Sequence, residues 1–333
     1  VLEGYKVMKT VGKNIVPPIS CSSDVDCLKS SYFCDQSDHV CRNRVTNQKI
    51  IYLEKDTRSV LAALLATCTF MVLITHRKIP VSTSQAIVGA VAGSGVALRF
   101  YNVAATNINY RVLINIFLSW ILTPIGAAII SYIIYRFFVT PVSSRSRLIF
   151  STDTVNLLVI LSAIFVSYNI GANNVGNAVG PIMGANILGD FSYRLEQGIV
   201  QDGVLVGHIN IDLLIPPTLL VAFLGGATIG LGAVMFGKGV AETMGSGITE
   251  LAPMTAFTAQ FSAALTIYLF TQYGIPVSTT QAIVGGVVGV GLTKGINTVN
   301  FKTLRNIALG WFATPTSAAL LSFIYYSILR LIL

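Results

Sequence analysis

One sixteen-residue stretch occurs twice in this chain. Residues 80–95 read PVSTSQAIVGAVAGSG and residues 276–291 read PVSTTQAIVGGVVGVG, identical at twelve of the sixteen positions. Each copy sets a Pro, three hydroxyl residues (Ser82, Thr83, Ser84; Ser278, Thr279, Thr280) and a Gln into apolar, Gly-rich surroundings. Hydroxyls and amides are costly in an apolar interior unless something hydrogen-bonds to them. Two copies at matching places in two halves predict a function where the halves meet.

The surroundings are those of a membrane. The chain has 333 residues, 53% hydrophobic and 11% charged, against roughly 25% charged in a soluble domain. Charge-free runs cover 59–75, 79–98, 112–135, 154–189, 213–237, 251–293 and 306–329. At about 20 apolar residues per span, they predict roughly eight or nine passes. The net charge of +8 reads as basic cytoplasmic loop residues, not as a nucleic-acid surface. No secretory signal opens the chain and Val1 is not an initiator Met, so the start looks cut.

Residues 17–55 form a polar insertion in the first half. Cys21, Cys27, Cys34 and Cys41 are spaced through it, which predicts two disulfides with three pairings open. Zinc is the weaker reading, since no CxxC pair occurs and His39 is the only nearby imidazole. Disulfides place the loop in an oxidising compartment, extracellular or lumenal. The span at 59–75 ends in Thr75-His76-Arg77-Lys78, and that basic end belongs in the cytoplasm. The two signals agree. Cys68, in an apolar run, reads as a packing residue.

Pro80 suits the first turn of a helix and Ser82 and Thr83 suit its cap. Residues 1–16 read as the end of a helix emerging at a surface, sharing the frame V-x-x-T-x-G-x-x-I (Val7, Thr10, Gly12, Ile15) with Val240, Thr243, Gly245 and Ile248. A W-x-x-T-P pattern also recurs, at Trp120 to Pro124 and Trp311 to Pro315, where proline predicts a kink. Between the halves, residues 136–147 carry three arginines and no acid and read as cytoplasmic.

A second unusual run, YNIGANNVGNAVGP at 168–181, places four Asn in nine residues of a charge-free stretch. Asn173 and Asn177 share one helix face. With Gly171, Gly176 and Gly180 the helix is expected to break and expose carbonyls, as transporters do around ions; the competing reading is hydrogen bonding between helices. Basic residues precede the first PVST element and follow the second (Lys294, Lys302, Arg305), which predicts repeats of opposite topology. Two opposed helix N-termini with hydroxyls suit an oxyanion. The fold expected is all-α, a polytopic membrane protein with inverted-topology repeats and broken or re-entrant half-helices. Its parts are an N-terminal repeat at 1–140, a basic linker at 141–152 and a C-terminal repeat at 153–333. No nucleophile–base pair, HExxH or paired mid-span carboxylates point to an enzyme.

The doubled PVST element, GANNVGNAVGP and the V-x-x-T-x-G frames together resemble the inorganic phosphate transporter (PiT) family of sodium- or proton-coupled symporters. The resemblance covers nearly the whole chain outside the Cys loop. It implies cation-coupled uptake of inorganic phosphate by alternating access, no cofactor, sodium or proton as coupling ion, and a multi-pass protein of the plasma membrane. A homodimer is compatible with it. It implies phosphate contacts from Ser82, Thr83, Ser84, Ser278, Thr279, Thr280, Asn173 and Asn174, and cation contacts from Asn173, Asn177 and Ser278. It links Glu242, Gln85 and Gln281 to transport. The chain departs from the family pattern at Asn174, where an Asp is usual, at Gln85 and Gln281, where His is usual, and at Lys9, opposite Glu242. The family's first GAND motif would lie upstream of Val1, so the chain reads as a fragment. A sulfate permease of the same fold, or a non-transporting receptor on the scaffold, are the alternatives.

Overall fold

The computed structural model describes residues 4–16, 32–35, 40–43, 57–101, 108–145, 151–184 and 217–333. Helix α1 (Gly4–Lys9) runs into a π-helical turn (Thr10–Asn14). Strands β1 (Tyr32–Asp35) and β2 (Val40–Asn43) pair antiparallel inside the polar insertion, with Cys34 opposite Cys41 in register. Helices α2 (Thr57–His76), α3 (Thr83–Phe100), α4 (Tyr110–Ile133) and α5 (Thr140–Arg145) complete the first half. The second comprises α6 (Thr152–Gly184), α7 (Pro217–Phe236), α8 (Lys238–Ser246), α9 (Pro253–Gln272), α10 (Thr279–Lys294) and α11 (Phe301–Ile332). The chain is nearly all helical; the short hairpin is the departure from an all-α reading. Cys21, Cys27, His39 and His208 lie outside the described residues.

Four of the described helices (α2, α4, α6, α11) are long and apolar enough to cross a membrane, and α7 and α8 form a pair bent by 71°. That is fewer than the eight or nine passes expected from charge-free runs. Helix α10, at 16 residues, is short for a span, and the rest of the reason is compositional. Helices α3, α9 and α10 carry many buried hydroxyl, amide and Gly residues and are shielded by the longer helices.

Both PVST helices start the same way. Ser82 and Ser278 have extended backbone, and each side chain accepts the N–H of the residue three on, Gln85 at 3.2 Å and Gln281 at 3.1 Å. Each cap satisfies one of a helix's orphan donors. The prolines therefore sit before the cap, in the extended approach, and not in the first turn. Two residues before each proline the backbone turns through the left-handed region, at Lys78 (φ 58°) and Gly274 (φ 68°).

Each repeat's PVST helix packs against the other repeat's W-x-x-T-P helix. Gly89 and Gly93 of α3 lie against the carbonyls of Pro315 and Ala319, and Gly285 and Gly289 of α10 lie against those of Pro124 and Ala128. A Cβ at any of the four would collide with backbone, so the small residues permit the close approach. Both long helices continue through their prolines, where Thr123 donates to the Ser119 carbonyl and Thr314 to that of Gly310. Asn109 and Asn300 cap them by accepting from Val112 and Thr303.

The weak frame of residues 7–15 and 240–248 is real in three dimensions. The Asn109 N–H donates to Ile15 O at 3.0 Å, and the Asn300 N–H to Ile248 O at 2.8 Å. Thr10 Oγ1 donates to Gly274 O at 2.7 Å, and Thr243 Oγ1 to Lys78 O at 3.1 Å. Residues 4–16 expose Lys6 and Lys9 but are more than a surface helix end. Val7, Val11 and Ile15 are fully buried.

The Asn-rich run corrects another expectation. Helix α6 is continuous from Thr152 to Gly184. Two of its glycines serve contact instead of breakage, Gly176 against Val7 and Gly180 against Val11 and Met8, while a Cβ at Gly171 would meet nothing within 4 Å. Seating α1 on this face buries the apolar residues of both helices.

Candidate functional site

The PVST starts of both repeats and the Asn face of α6 converge on one buried cluster of hydroxyls and amides. Ser84 Oγ donates to Val277 O at 2.6 Å, and Thr280 Oγ1 donates to Val81 O at 3.0 Å. The two hydroxyls hold the same position in their repeats, and each reaches the carbonyl of the other repeat's Pro-Val segment.

Asn173 clamps one of those peptides. Its Nδ2 donates to Val277 O at 2.8 Å while its Oδ1 accepts from Val277 N at 3.2 Å. The amide thereby imitates a strand partner for an extended residue that has no sheet around it. One turn on, Asn177 Nδ2 donates to Ser84 Oγ at 2.6 Å. Asn173 and Asn177 share a face, as their spacing predicts, and both are buried. Asn174 Oδ1 faces Asn173 Nδ2 at 3.2 Å, Thr83 Oγ1 at 3.4 Å and Asn177 Nδ2 at 3.5 Å. Unlike its neighbours, Asn174 is only half-buried, and Thr83 is exposed.

The six PVST hydroxyls thus divide by task. Ser82 and Ser278 cap, Ser84 and Thr280 brace the two repeats, and Thr83 and Thr279 follow the caps on the first turns of α3 and α10. Thr279 and Thr280 line a cavity of about 480 Å³ together with Ser167, Gln260 and residues of α8. Gln260 was not singled out from sequence. It accepts from Ser162 Oγ at 2.9 Å and so joins α9 to α6. An amide in the middle of an apolar stretch of the charge-free run 251–293 was the available signal.

Among the described residues, no Lys, Arg, Asp or Glu joins the cluster. Its polarity comes from hydroxyls, amides and the N-terminal ends of α3 and α10, which carry partial positive charge. The Asn177 Oδ1 is buried without a hydrogen-bond donor. Glu242 stands apart on the exposed side of α8. Gln85 and Gln281 are buried but line a different cleft, walled by α4 and α11.

The fold and sequence have known counterparts. A solved structure of a sodium-dependent phosphate transporter superposes with a TM-score of 0.64 at 24% identity, over 99% of this chain and 90% of that one. The "Putative phosphate permease MJ0630" of Methanocaldococcus jannaschii is 34% identical over 264 residues, 79% of this chain and 73% of its own length. "Inorganic phosphate transporter 2-1, chloroplastic" of Arabidopsis thaliana is 37% identical over 166 residues, half of this chain and 26% of its own. The profile of the phosphate transporter family, a family of membrane transporters and not of enzymes, matches residues 1–152 and 142–322. With the doubled PVST element, the Asn face and the fold in agreement, the chain belongs to the phosphate transporter family.

Proposed function

We propose that the chain carries inorganic phosphate by cation-coupled symport with alternating access, and that phosphate binds where the starts of α3 and α10 face the Asn side chains of α6. The observation that carries this reading is the reciprocal brace of Ser84 on Val277 and Thr280 on Val81. It holds two helix N-termini together, which is how a backbone binds an anion without a cationic side chain. Thr83 and Thr279 supply hydroxyls beside those N-termini, and Ser82, Ser84, Ser278, Thr280, Asn173 and Asn174 form the frame around the phosphate.

Sodium is the coupling ion in this reading. Hard cations take oxygen ligands, and the unpartnered Asn177 Oδ1, with Asn173 and Ser278, offers neutral oxygens. Among the described residues the cluster's side chains are Ser, Thr and Asn, neutral oxygens that suit sodium better than a proton. Repeats of opposite topology would bring the two helix starts to mid-membrane from either side, and rocking one repeat against the other would expose the site alternately. Glu242, on a helix that lines the Thr279 cavity, is assigned to that movement. The plasma membrane, with the Cys insertion outside, suits the cytoplasmic basic end at 76–78. The register of Cys34 opposite Cys41 supports those two as one disulfide, because paired strand residues are about 4.5–5.5 Å apart and disulfides need about 4.4–6.8 Å.

The test is uptake of radiolabelled phosphate by the chain in proteoliposomes, under an inward sodium gradient and under a proton gradient alone. Sodium-dependent uptake that Thr279→Val reduces at least about tenfold, the scale of a lost charge-assisted hydrogen bond, supports the assignment. Equal uptake under the proton gradient alone would remove sodium from it. Absence of both uptake and phosphate binding would remove the transport reading.

A further inference from the structure

The cavity that Thr279 lines is larger than an inorganic phosphate needs. It measures about 480 Å³ and lies between α6, α8, α9 and α10. A phosphate has the volume of about two to three waters, at about 30 Å³ each, so it leaves most of this space unused. Ile170, Val240, Met244, Leu251, Ile283 and Val287 make the walls largely apolar, and no charged residue lines them. A mostly apolar pocket of about 300–1,000 Å³ with a few placed polar groups is the usual form of a small-molecule site.

The fold does not demand this space. Ala256, Ala259 and Val287 in its wall repeat Val60, Ala63 and Val91 of the first half, each pair at the same distance from its PVST proline. Around the first-half residues the void is only about 10 Å³. The second half also sets an amide where the first packs an aliphatic chain. Leu64 and Gln260 each stand sixteen residues before the proline; Leu64 packs against the core and Gln260 lines the cavity.

The polar end of the cavity is the start of α10. The first N–H groups of a helix have no partner within it. Thr280 Oγ1 is held by Val81 O. Thr279 is 9% exposed, its hydroxyl has no hydrogen-bond partner among the described residues, and the oxygen is not sealed off. The outer wall is α8, bent 71° from α7. It exposes Lys238, Glu242 and Ser246, four residues apart, on its far side, so that side faces water and a charged ligand can enter there.

We propose that the cavity binds an oxyanion carrying one small apolar substituent, the class of alkyl phosphonates and alkyl phosphate monoesters. The head takes the Thr279 hydroxyl and the N–H groups at the start of α10, and the substituent covers the apolar walls that a phosphate leaves in contact with water. The proposal rests on the phosphate reading above, since it places the head in the same half-site.

The test is isothermal titration calorimetry of the detergent-solubilised chain, with sodium present, using phosphate, methylphosphonate and butylphosphonate. The two phosphonates share a head and differ in apolar length. All three ligands are expected to bind, butylphosphonate about tenfold or more tighter than methylphosphonate, as burying its additional methylenes would give. Thr279→Val should weaken both phosphonates by the same factor. Ala163→Phe on α6 and Ala256→Phe on α9, each lining the cavity, should bring butylphosphonate down to methylphosphonate and leave phosphate unchanged. If one of these variants does not fold, the other and the comparison on the parent chain still decide. Phosphate binding with butylphosphonate no tighter than methylphosphonate overturns this proposal alone, and so does a preference that survives both Phe variants. Binding of none of the three removes the phosphate reading and the proposal with it.

Discussion

Ser84 and Thr280 are one residue seen twice: each stands fifth in a PVST element and donates its hydroxyl to the valine carbonyl of the other, at 2.6 Å and 3.0 Å. The bonds are matched but their settings are not. Ser84 Oγ also accepts from Asn177 at 2.6 Å and from Asn173 at 3.4 Å. Ser84→Ala therefore removes one donor and leaves the buried Asn177 amide only its 3.5 Å contact with Asn174, while Asn173 keeps the Val277 carbonyl, and it is expected to cost about 2–3 kcal/mol. Thr280→Val removes a single hydrogen bond and should cost about 1 kcal/mol. Thermal melting of the detergent-solubilised variants orders the two. Equal losses would mean that the Asn177 contact contributes nothing.

Asn173 and Asn174 are neighbours with opposite tolerance for charge. At Asn173 the Nδ2 faces a carbonyl, so Asn173→Asp would set a carboxylate oxygen against Val277 O in a fully buried site. The expected loss is about 3 kcal/mol or more. Oδ1 of Asn174 faces three donors and the residue is half-buried. Asn174→Asp offers the same donors a stronger acceptor and should fold as well as the parent. Size-exclusion profiles and melting temperatures of the pair check this, and an aggregated Asn174→Asp protein would contradict it.

These contacts mark the limit of what the sequence discloses. The doubled PVST element and the Asn spacing pointed to hydroxyls and amides that meet in one cluster, because repetition and helical period are visible in one dimension. The Val81 and Val277 carbonyls were not, since a peptide group acting as a hydrogen-bond partner leaves no trace in residue identity. The run at 168–181 misled for a related reason. Glycines that admit a neighbouring helix and glycines that break one look alike until the neighbour, here Val7 and Val11 of the first repeat, is in place. The two glutamines were read with the hydroxyls beside them, yet a helix turns about 100° per residue, and adjacent residues face different cavities.

The four glycines at the repeat interface separate packing from propensity. Gly89→Ala, Gly93→Ala, Gly285→Ala and Gly289→Ala each put a methyl group onto the backbone carbonyl of a facing helix, which cannot move as a side-chain tip could. Each is expected to lose about 1–3 kcal/mol or more. Gly230, in α7, has no atom within 4 Å of a would-be Cβ. Gly230→Ala should instead gain up to about 1 kcal/mol from helix propensity. Melting curves of the five variants should place Gly230→Ala at or above the parent and the other four below it. A well-folded Gly285→Ala would show that α10 and α4 pack less closely than described.

Lys78 and Gly274 occupy the same turn before their PVST elements, and both backbones are left-handed, with φ of 58° and 68°. An L-residue in that region is disfavoured by roughly 1–2 kcal/mol, a penalty that glycine escapes. Lys78→Gly relieves it while keeping the carbonyl that accepts from Thr243, but it also removes the aliphatic stem that lies against Gly239 and loosens the unfolded chain. The net expectation is a change within about 1 kcal/mol. Gly274→Ala meets both obstacles, the positive φ and a Lys6 Cβ 3.1 Å from the new methyl, and should lose about 2 kcal/mol or more. The reciprocal pair measured by thermal melting decides whether the turn is set by backbone geometry. If Gly274→Ala is as stable as Lys78→Gly, the left-handed turn is not a requirement of the second repeat.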